Sequence, residues 1–163
     1  MMIVNYTIRQ VEEKDNLSLA TIIRKVFEEH DAPRQGTVYS DPTTDNLFEL
    51  FQTTKAILWV VEIDKQPVGC CGIYPTSGLE NGCAELVKFY VSGELQSLGY
   101  GRLLMERCIE SAKELGYKKI YLESMPQFAK AVGIYQKQGF RNLTHPLGNS
   151  GHSGCTIWME REL

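Results

Sequence analysis

The chain has 163 residues, 43% of them hydrophobic, and its 17 basic against 20 acidic side chains leave a net charge of −3. That length suits a single domain over residues 1–163 with a sizeable core, and a mildly acidic chain with no polybasic run argues against nucleic-acid and membrane-surface partners. The five cysteines, Cys70, Cys71, Cys83, Cys108 and Cys155, are odd in number and lack any C-x-x-C spacing, so they read as reduced thiols, neither a disulfide framework nor a metal site.

The opening Met1-Met2-Ile3-Val4-Asn5-Tyr6-Thr7-Ile8-Arg9 has a strand pattern over 3–9 and lacks the layout of a secretion signal. No apolar run reaches membrane-spanning length, and the expected compartment is the cytoplasm. Leu17, Leu19, Ala20, Ile23, Val26 and Phe27 form a helical stripe within 15–30. Asp31-Ala32-Pro33-Arg34-Gln35-Gly36 breaks it, the segment to Pro42 reads as loop, and Asp45 to Gln52 as a short helix. Strands at 56–63 and 67–74 flank a turn at Asp64-Lys65-Gln66, and the turn at 77–82 leads into a strand at 83–91.

Next comes Gln96-Ser97-Leu98-Gly99-Tyr100-Gly101-Arg102, a glycine turn opening a helix that runs to Leu115 and stops at Gly116. Glycines let the backbone approach a ligand, and the free N–H groups of a helix start attract an anion, so the turn is a candidate pyrophosphate cradle. Such turns also join strands to helices with no ligand at all. A strand at 118–123, a helix from Pro126 to about Gln138, a strand begun at Gly139-Phe140, a Gly/Pro/Ser/His loop at 145–154 and a strand at 155–161 complete the chain. The order β-α-α-β-β-β-α-β-α-β-β predicts an α/β fold: a mixed sheet, helices on both faces, and a parallel crossover around Gly99.

Gln96-Ser97-Leu98-Gly99-Tyr100-Gly101 resembles the Q/R-x-x-G-x-G/A signature of the GNAT N-acetyltransferase superfamily, and Ala131-Val132-Gly133-Ile134-Tyr135-Gln136-Lys137-Gln138-Gly139-Phe140 follows in that superfamily's order. The detailed match covers about 83–141. The resemblance implies a GNAT-like acyl-CoA N-acyltransferase fold whose strands 83–91 and 118–124 splay to admit acetyl-CoA. Backbone groups around Phe89, Tyr90 and Val91 would then pair with the pantetheine arm, with the N–H near Phe89 as oxyanion donor. The turn from Gln96 through Leu103 would hold the pyrophosphate. Ser97 stands where the superfamily often has glycine and Leu98 where it often has a basic residue, which leaves the cradle to the backbone. Arg102 either adds charge to it or is an exposed helix arginine. Gln127 stands where relatives often place an asparagine on the coenzyme arm, or is a polar residue at a helix start.

Acetyl transfer to an amine requires removal of an ammonium proton and a proton for the departing thiolate. By resemblance, Tyr135 is the general acid. Glu85 is the general base, its pKa raised by an apolar cleft, or a structural glutamate paired with a nearby cation. The implied acceptor is a small-molecule or peptide amine, walled by residues 27–45 and 145–154, and the protein is a monomer or homodimer. Glu28, Glu29, Asp31, Asp41 and Asp45 in that wall read first as exposed helix-end charge, and second as an attraction for a cationic amine. His30 reads as a helix-end residue, His145 and His152 as surface residues or, second, as residues reaching the acceptor, and Cys155 as a small hydrophobe turned into the sheet. Two rival readings are a coenzyme-binding sensor without efficient transfer, and a nucleotide-binding α/β domain with Glu123 on a ribose, which leaves the Tyr135 motif unexplained.

Overall fold

The computed structural model describes residues 5–163. A seven-stranded sheet runs through it in the order β1-β2-β3-β4-β5-β7-β6: β1 is Tyr6–Gln10, β2 Ile57–Ile63, β3 Gln66–Tyr74, β4 Cys83–Val91, β5 Lys119–Ser124, β6 Arg141–Asn142 and β7 Ile157–Glu162. Helices α1 (Asn16–Glu29), α2 (Leu47–Leu50), α3 (Tyr100–Glu114) and α4 (Ala129–Lys137) complete the mixed α/β architecture. Residues 3 and 4 of the expected first strand lie outside the described residues. No helix among the described residues is long and apolar enough to cross a membrane.

The central strands are apolar on both faces, as a sheet covered on both sides requires. Along β2, Leu58 and Val60 join Leu19, Ile23 and Phe27 of α1, whereas Val61 joins Leu104, Met105 and Cys108 of α3. The neighbouring Cys70 and Cys71 divide between the same two cores, as alternation demands. Leu104 and Met105 are wholly buried, each stabilising the α3 face by about 1.5–3 kcal/mol.

The helices differ from the sequence expectation mainly at their ends. Two short 3-10 turns, Val38–Ser40 and Pro42–Asp45, occupy the expected loop and take the front of the expected second helix. Pro126–Phe128 is likewise a 3-10 turn before α4, with Pro126 at its start where its missing N–H costs nothing. At the end of α3, Gly116 (φ +90°) lets Tyr117 N–H reach the Ala112 carbonyl at 3.0 Å, while its own N–H reaches Lys113 at 3.0 Å. That is a Schellman cap, in which a left-handed glycine satisfies the last free carbonyls.

β4 is the strand that positions everything else. Its pairing with β3 runs Tyr74↔Glu85, Ile73↔Leu86, Gly72↔Val87 and then Cys70↔Tyr90, so Lys88 and Phe89 together oppose Cys71. Lys88 takes the extra place with φ +57°. The bulge inverts the strand's alternation. Ala84 and Leu86 pack toward α3 before it, and Phe89 and Val91 after it, while Val87 and Tyr90 pack toward α1. On its other edge β4 pairs in parallel with β5 only from Cys83↔Lys119 to Glu85↔Tyr121. Beyond Glu85 the two strands part, while β5 stays paired with β7 as far as Ser124.

Candidate active site

The parting strands open a cavity of about 450 Å³, reached by β4, the turn after it, the end of β5, α4 and the loop before β7. Of the residues singled out in the sequence, Glu85, Phe89, Tyr90, Val91, Gln96, Ser97, Gly99, Gly101, Arg102 and Tyr135 line it. Leu98, Tyr100, Leu103 and Gln127 do not. Tyr100 is buried in the α3 core with its ring edge-on to Tyr6 at 5.9 Å, Leu98 packs against the same core, and Gln127 is exposed. Its neighbour Phe128 faces the cavity instead, stacked edge-on against Phe27 at 5.1 Å.

The turn before α3 is built from backbone. Ser97 (φ +70°) and Gly99 (φ +99°) are both left-handed, and alternating handedness turns successive N–H groups inward as an anion nest. The first hydrogen bond back from the helix is Leu103 N–H to the Gly99 carbonyl at 3.2 Å. The N–H groups from Ser97 to Arg102 thus have no intramolecular partner among the described residues. Gln96 ties the turn to the strand by donating from Nε2 to the Val91 carbonyl at 3.0 Å. A Cβ on Gly101 would lie 3.1 Å from the Phe89 ring and 3.2 Å from Ile134, so glycine permits the close approach of α3, α4 and β4. Arg102 is exposed and pairs with Glu106 at 3.1 Å. A slot bordered by unpaired strand edge and ending in six free N–H groups suits a ligand that carries amides along its length and a diphosphate at one end.

Tyr135 is buried at 5% exposure, packed between Phe89 (ring centroids 5.7 Å) and Phe140 (5.9 Å). The Tyr-x-x-x-Gly-Phe motif is also a helix cap. Gly139 (φ +87°) donates to Gln136 at 3.1 Å and Phe140 N–H reaches the Tyr135 carbonyl at 3.0 Å, with the Tyr135–Phe140 contact that accompanies such a cap. The motif thus fixes the ring against the cavity wall. No buried side-chain oxygen or nitrogen among the described residues lacks a partner, and none is recorded for the Tyr135 hydroxyl, so that hydroxyl opens on the cavity. Burial pushes its pKa well above the ordinary tyrosine value.

Glu85 is 4% exposed. Burial raises its pKa to about 7, the charge of Glu123 adds to this, and the Thr76 hydroxyl, donating to Oε1 at 2.5 Å, opposes it. Among the described residues Glu85 has no salt bridge, and the Lys88 charge acts on it only at longer range. Cys155 is half-buried at the cavity wall just before β7, with its thiol pushed up to about 12 by burial.

Around Glu85 the cavity is closed by side chains to which the sequence reading gave other roles. Glu123 accepts from Tyr121 Oη at 2.6 Å and from Ser150 Oγ at 2.5 Å, and Leu147 N–H donates to Tyr121 Oη at 3.0 Å. Both Glu123 oxygens are thereby engaged by hydroxyls of the protein itself. His152, expected at the surface, sits at the cavity wall with Nε2 2.9 Å from Asp41 Oδ2. Burial works against the Asp41 charge, but hydrogen bonds from His152 and Thr43 outweigh it and hold the carboxyl at about 2. Gly154 N–H to the Gly36 carbonyl at 2.8 Å and Asn149 N–H to Ser77 at 2.7 Å complete the attachment of the 145–154 loop. His145 is exposed, as expected. The only available signal for His152 and Asp41 was composition, a histidine in a Gly/Ser loop and a carboxylate before a proline, and neither announces a partner 111 residues away. Among the described residues no three His, Cys, Asp or Glu side chains are grouped to hold a metal.

Comparison with known proteins agrees with this geometry. The chain is 33% identical over 156 residues to the uncharacterized N-acetyltransferase YjgM of Escherichia coli (strain K12), covering 95% of this chain and 93% of that one. A GNAT-family acetyltransferase structure from Staphylococcus aureus Mu50 superposes with a TM-score of 0.83 at 21% identity, over 97% of this chain and 99% of that one. YncA of Salmonella typhimurium, a putative acetyltransferase solved with its cofactor acetyl-CoA, superposes at 0.78 with 20% identity, over 97% and 94%. The family model described as Acetyltransferase (GNAT) family matches residues 23–140, from the middle of α1 to the cap of α4. The chain belongs to the GNAT family of acetyltransferases.

Proposed function

We propose that the protein transfers the acetyl group of acetyl-CoA to a primary amine of a small molecule or peptide by direct attack. The observation that carries this reading is one cavity lined by an unpaired β4 edge, a nest of free N–H groups, a buried carboxyl and a buried phenol. In it, the backbone of Phe89, Tyr90 and Val91 pairs with the amides of the pantetheine arm. The N–H groups from Ser97 to Arg102 hold the pyrophosphate, Leu103 N–H being taken by the Gly99 carbonyl, with Gln96 bracing the turn. Arg102 adds at most screened charge. Gln127 has no part, being exposed on the far side of the 3-10 turn, and Phe128 takes its place against the ligand.

Glu85 removes the proton from the incoming ammonium. A carboxyl poised near 7 is half ionised at neutral pH and still basic enough to accept a proton. As the new C–N bond forms and the C–S bond breaks, Tyr135 gives its proton to the sulfur. Burial raises the Tyr135 pKa, so the phenol carries its proton until the departing thiolate, the developing negative charge in the same cavity, takes it. The N–H near Phe89, on the edge that β5 has released, is the oxyanion donor.

The test is an amine library screened for free thiol released from acetyl-CoA, with Glu85→Gln and Tyr135→Phe alongside. Tyr135→Phe is expected to lower kcat about 10-fold, at the modest end for general-acid removal because water also reaches a departing thiolate. Unchanged turnover of Tyr135→Phe under conditions limited by chemistry would defeat the acid role. Tight acetyl-CoA binding with no thiol released by any amine would favour a coenzyme-binding sensor.

A further inference from the structure

Lys88 stands out within the cavity because nothing in the chemistry above uses it. It is the extra residue of the β4 bulge, 7% exposed, and lines the cavity in company with Glu85, His152 and Cys155. Among the described residues its ammonium has neither a hydrogen bond nor an ion pair. The two carboxylates that act on it, Asp41 and Glu85, do so at longer range. Asp41 is already taken by His152 and Thr43, and Glu85 by Thr76. Because no sealed side-chain nitrogen in the described residues lacks a partner, the Lys88 ammonium opens on the cavity. Holding an unpaired cation so far from water costs several kcal/mol, so buried charges are ordinarily paired. The bulge itself delivers it there, by inverting the alternation at a residue that needs a left-handed backbone.

We propose, resting on the transferase reading above, that Lys88 is the counter-ion for a carboxylate on the acceptor, whose substrate class is a small amine that also carries a carboxylate, such as an amino acid. The amine meets Glu85 and the carboxylate meets Lys88, three residues along the same strand. An anion at that position replaces the hydration that burial has removed, since desolvation is what lowers the Lys88 pKa. A neutral acceptor leaves the ammonium unpaired, and a purely cationic one in addition meets repulsion at close range.

The experiment compares α-, β- and γ-amino acids with their carboxamides as acceptors, reading thiol release for the wild type, Lys88→Met and Lys88→Arg. Both replacements keep an unbranched Cβ, so the bulge is no more strained than with lysine. The expected result is a kcat/KM at least 10-fold higher for the acid than for its amide in the wild type. Lys88→Met should bring that ratio toward one, chiefly by raising KM for the acid, and Lys88→Arg should retain it in part. Equal use of acid and amide by the wild type, or an unchanged ratio in Lys88→Met, overturns the proposal. If no amine releases thiol, the transferase reading has failed separately, and calorimetry on the CoA-loaded protein still decides the role of Lys88. N-acetylglycine must then bind at least 10-fold more tightly than N-acetylglycinamide and lose that margin in Lys88→Met; equal binding of the two overturns the proposal.

Discussion

The two ends of the β4 cleft are made of different material. At the α3 end the polar groups are backbone N–H, presented by left-handed turns at Ser97 and Gly99 and a close approach at Gly101. At the other end they are side chains: Glu85, Lys88, Glu123, Asp41 and His152, drawn from β4, β5 and two loops far apart in sequence. A backbone cradle serves one fixed chemical group and tolerates side-chain drift, which is why Leu98 can replace a basic residue there. A side-chain wall is the part that can be rebuilt for a different molecule. Glycine substitutions should therefore damage the first end, and charge substitutions the second.

Glu85→Gln breaks the comparison hardest. It should lower kcat about 100-fold, within the range for loss of a general base, while leaving the dissociation constant for acetyl-CoA unchanged by calorimetry. In the wild type, kcat/KM should rise with pH through about 7 as Glu85 ionises, and this limb should vanish in the variant. Stability should move the opposite way. The folded pKa lies above the carboxyl's ordinary 4.5, so the folded state binds the proton more tightly. Glu85 therefore favours folding below pH 4.5 and progressively loses that benefit up to about 7. At pH 8 the cost is on the order of 3 kcal/mol, at 1.36 kcal/mol per unit of pKa, and glutamine relieves it while still accepting the Thr76 hydroxyl. Urea melts at pH 8 and pH 5 should show Glu85→Gln gaining stability at the higher pH alone.

At the backbone end, Gly99→Ala forces a side chain onto a residue with φ +99°. Strain of about 1–3 kcal/mol at such a position either distorts the nest or loosens the helix start. Acetyl-CoA should bind roughly 10-fold more weakly, each 1.4 kcal/mol being a factor of ten, with kcat for the bound complex little altered. Arg102→Ala at the same end should cost only about 3-fold, since an exposed guanidinium already engaged by Glu106 offers little. A larger loss for Arg102→Ala than for Gly99→Ala would mean that charge, not backbone, makes the cradle.

The same contrast explains what was legible in the sequence. Strand and helix periodicity placed β2 to β5 and α3 to within a residue or two, because both faces of the sheet are buried and the alternation is enforced. The glycine turn and the Tyr135 motif were legible because backbone geometry leaves glycines as a trace: Gly99 opens α3 and Gly139 caps α4. The bulge at Lys88 left no such trace, since a lysine occupies the left-handed position, and so the lysine's aim into the cavity was missed. The His152–Asp41 and Glu123–Ser150 contacts join segments that become neighbours only when the sheet order is known. Of the two readings of Gln127, its exposure in the 3-10 turn fits the polar residue at a helix start, and that the inward neighbour is Phe128 was not legible.

Ser97 offers the smallest and cleanest test of the backbone end. It is left-handed at φ +70° without being glycine, a conformation that costs an L-residue roughly 1–2 kcal/mol. Glycine removes that strain but loses about 0.5–1 kcal/mol more conformational entropy on folding. Ser97→Gly should accordingly stabilise the protein by up to about 1 kcal/mol, the difference between those two effects, and leave acetyl-CoA affinity within about twofold. If the serine hydroxyl itself held the ligand, the variant would bind acetyl-CoA several-fold more weakly despite being more stable. Stability and affinity moving in opposite directions would therefore place a side chain in the cradle. Their independence would leave the nest to the backbone, and with it the reason a chain can depart from its family's pattern at this position without losing the donor site.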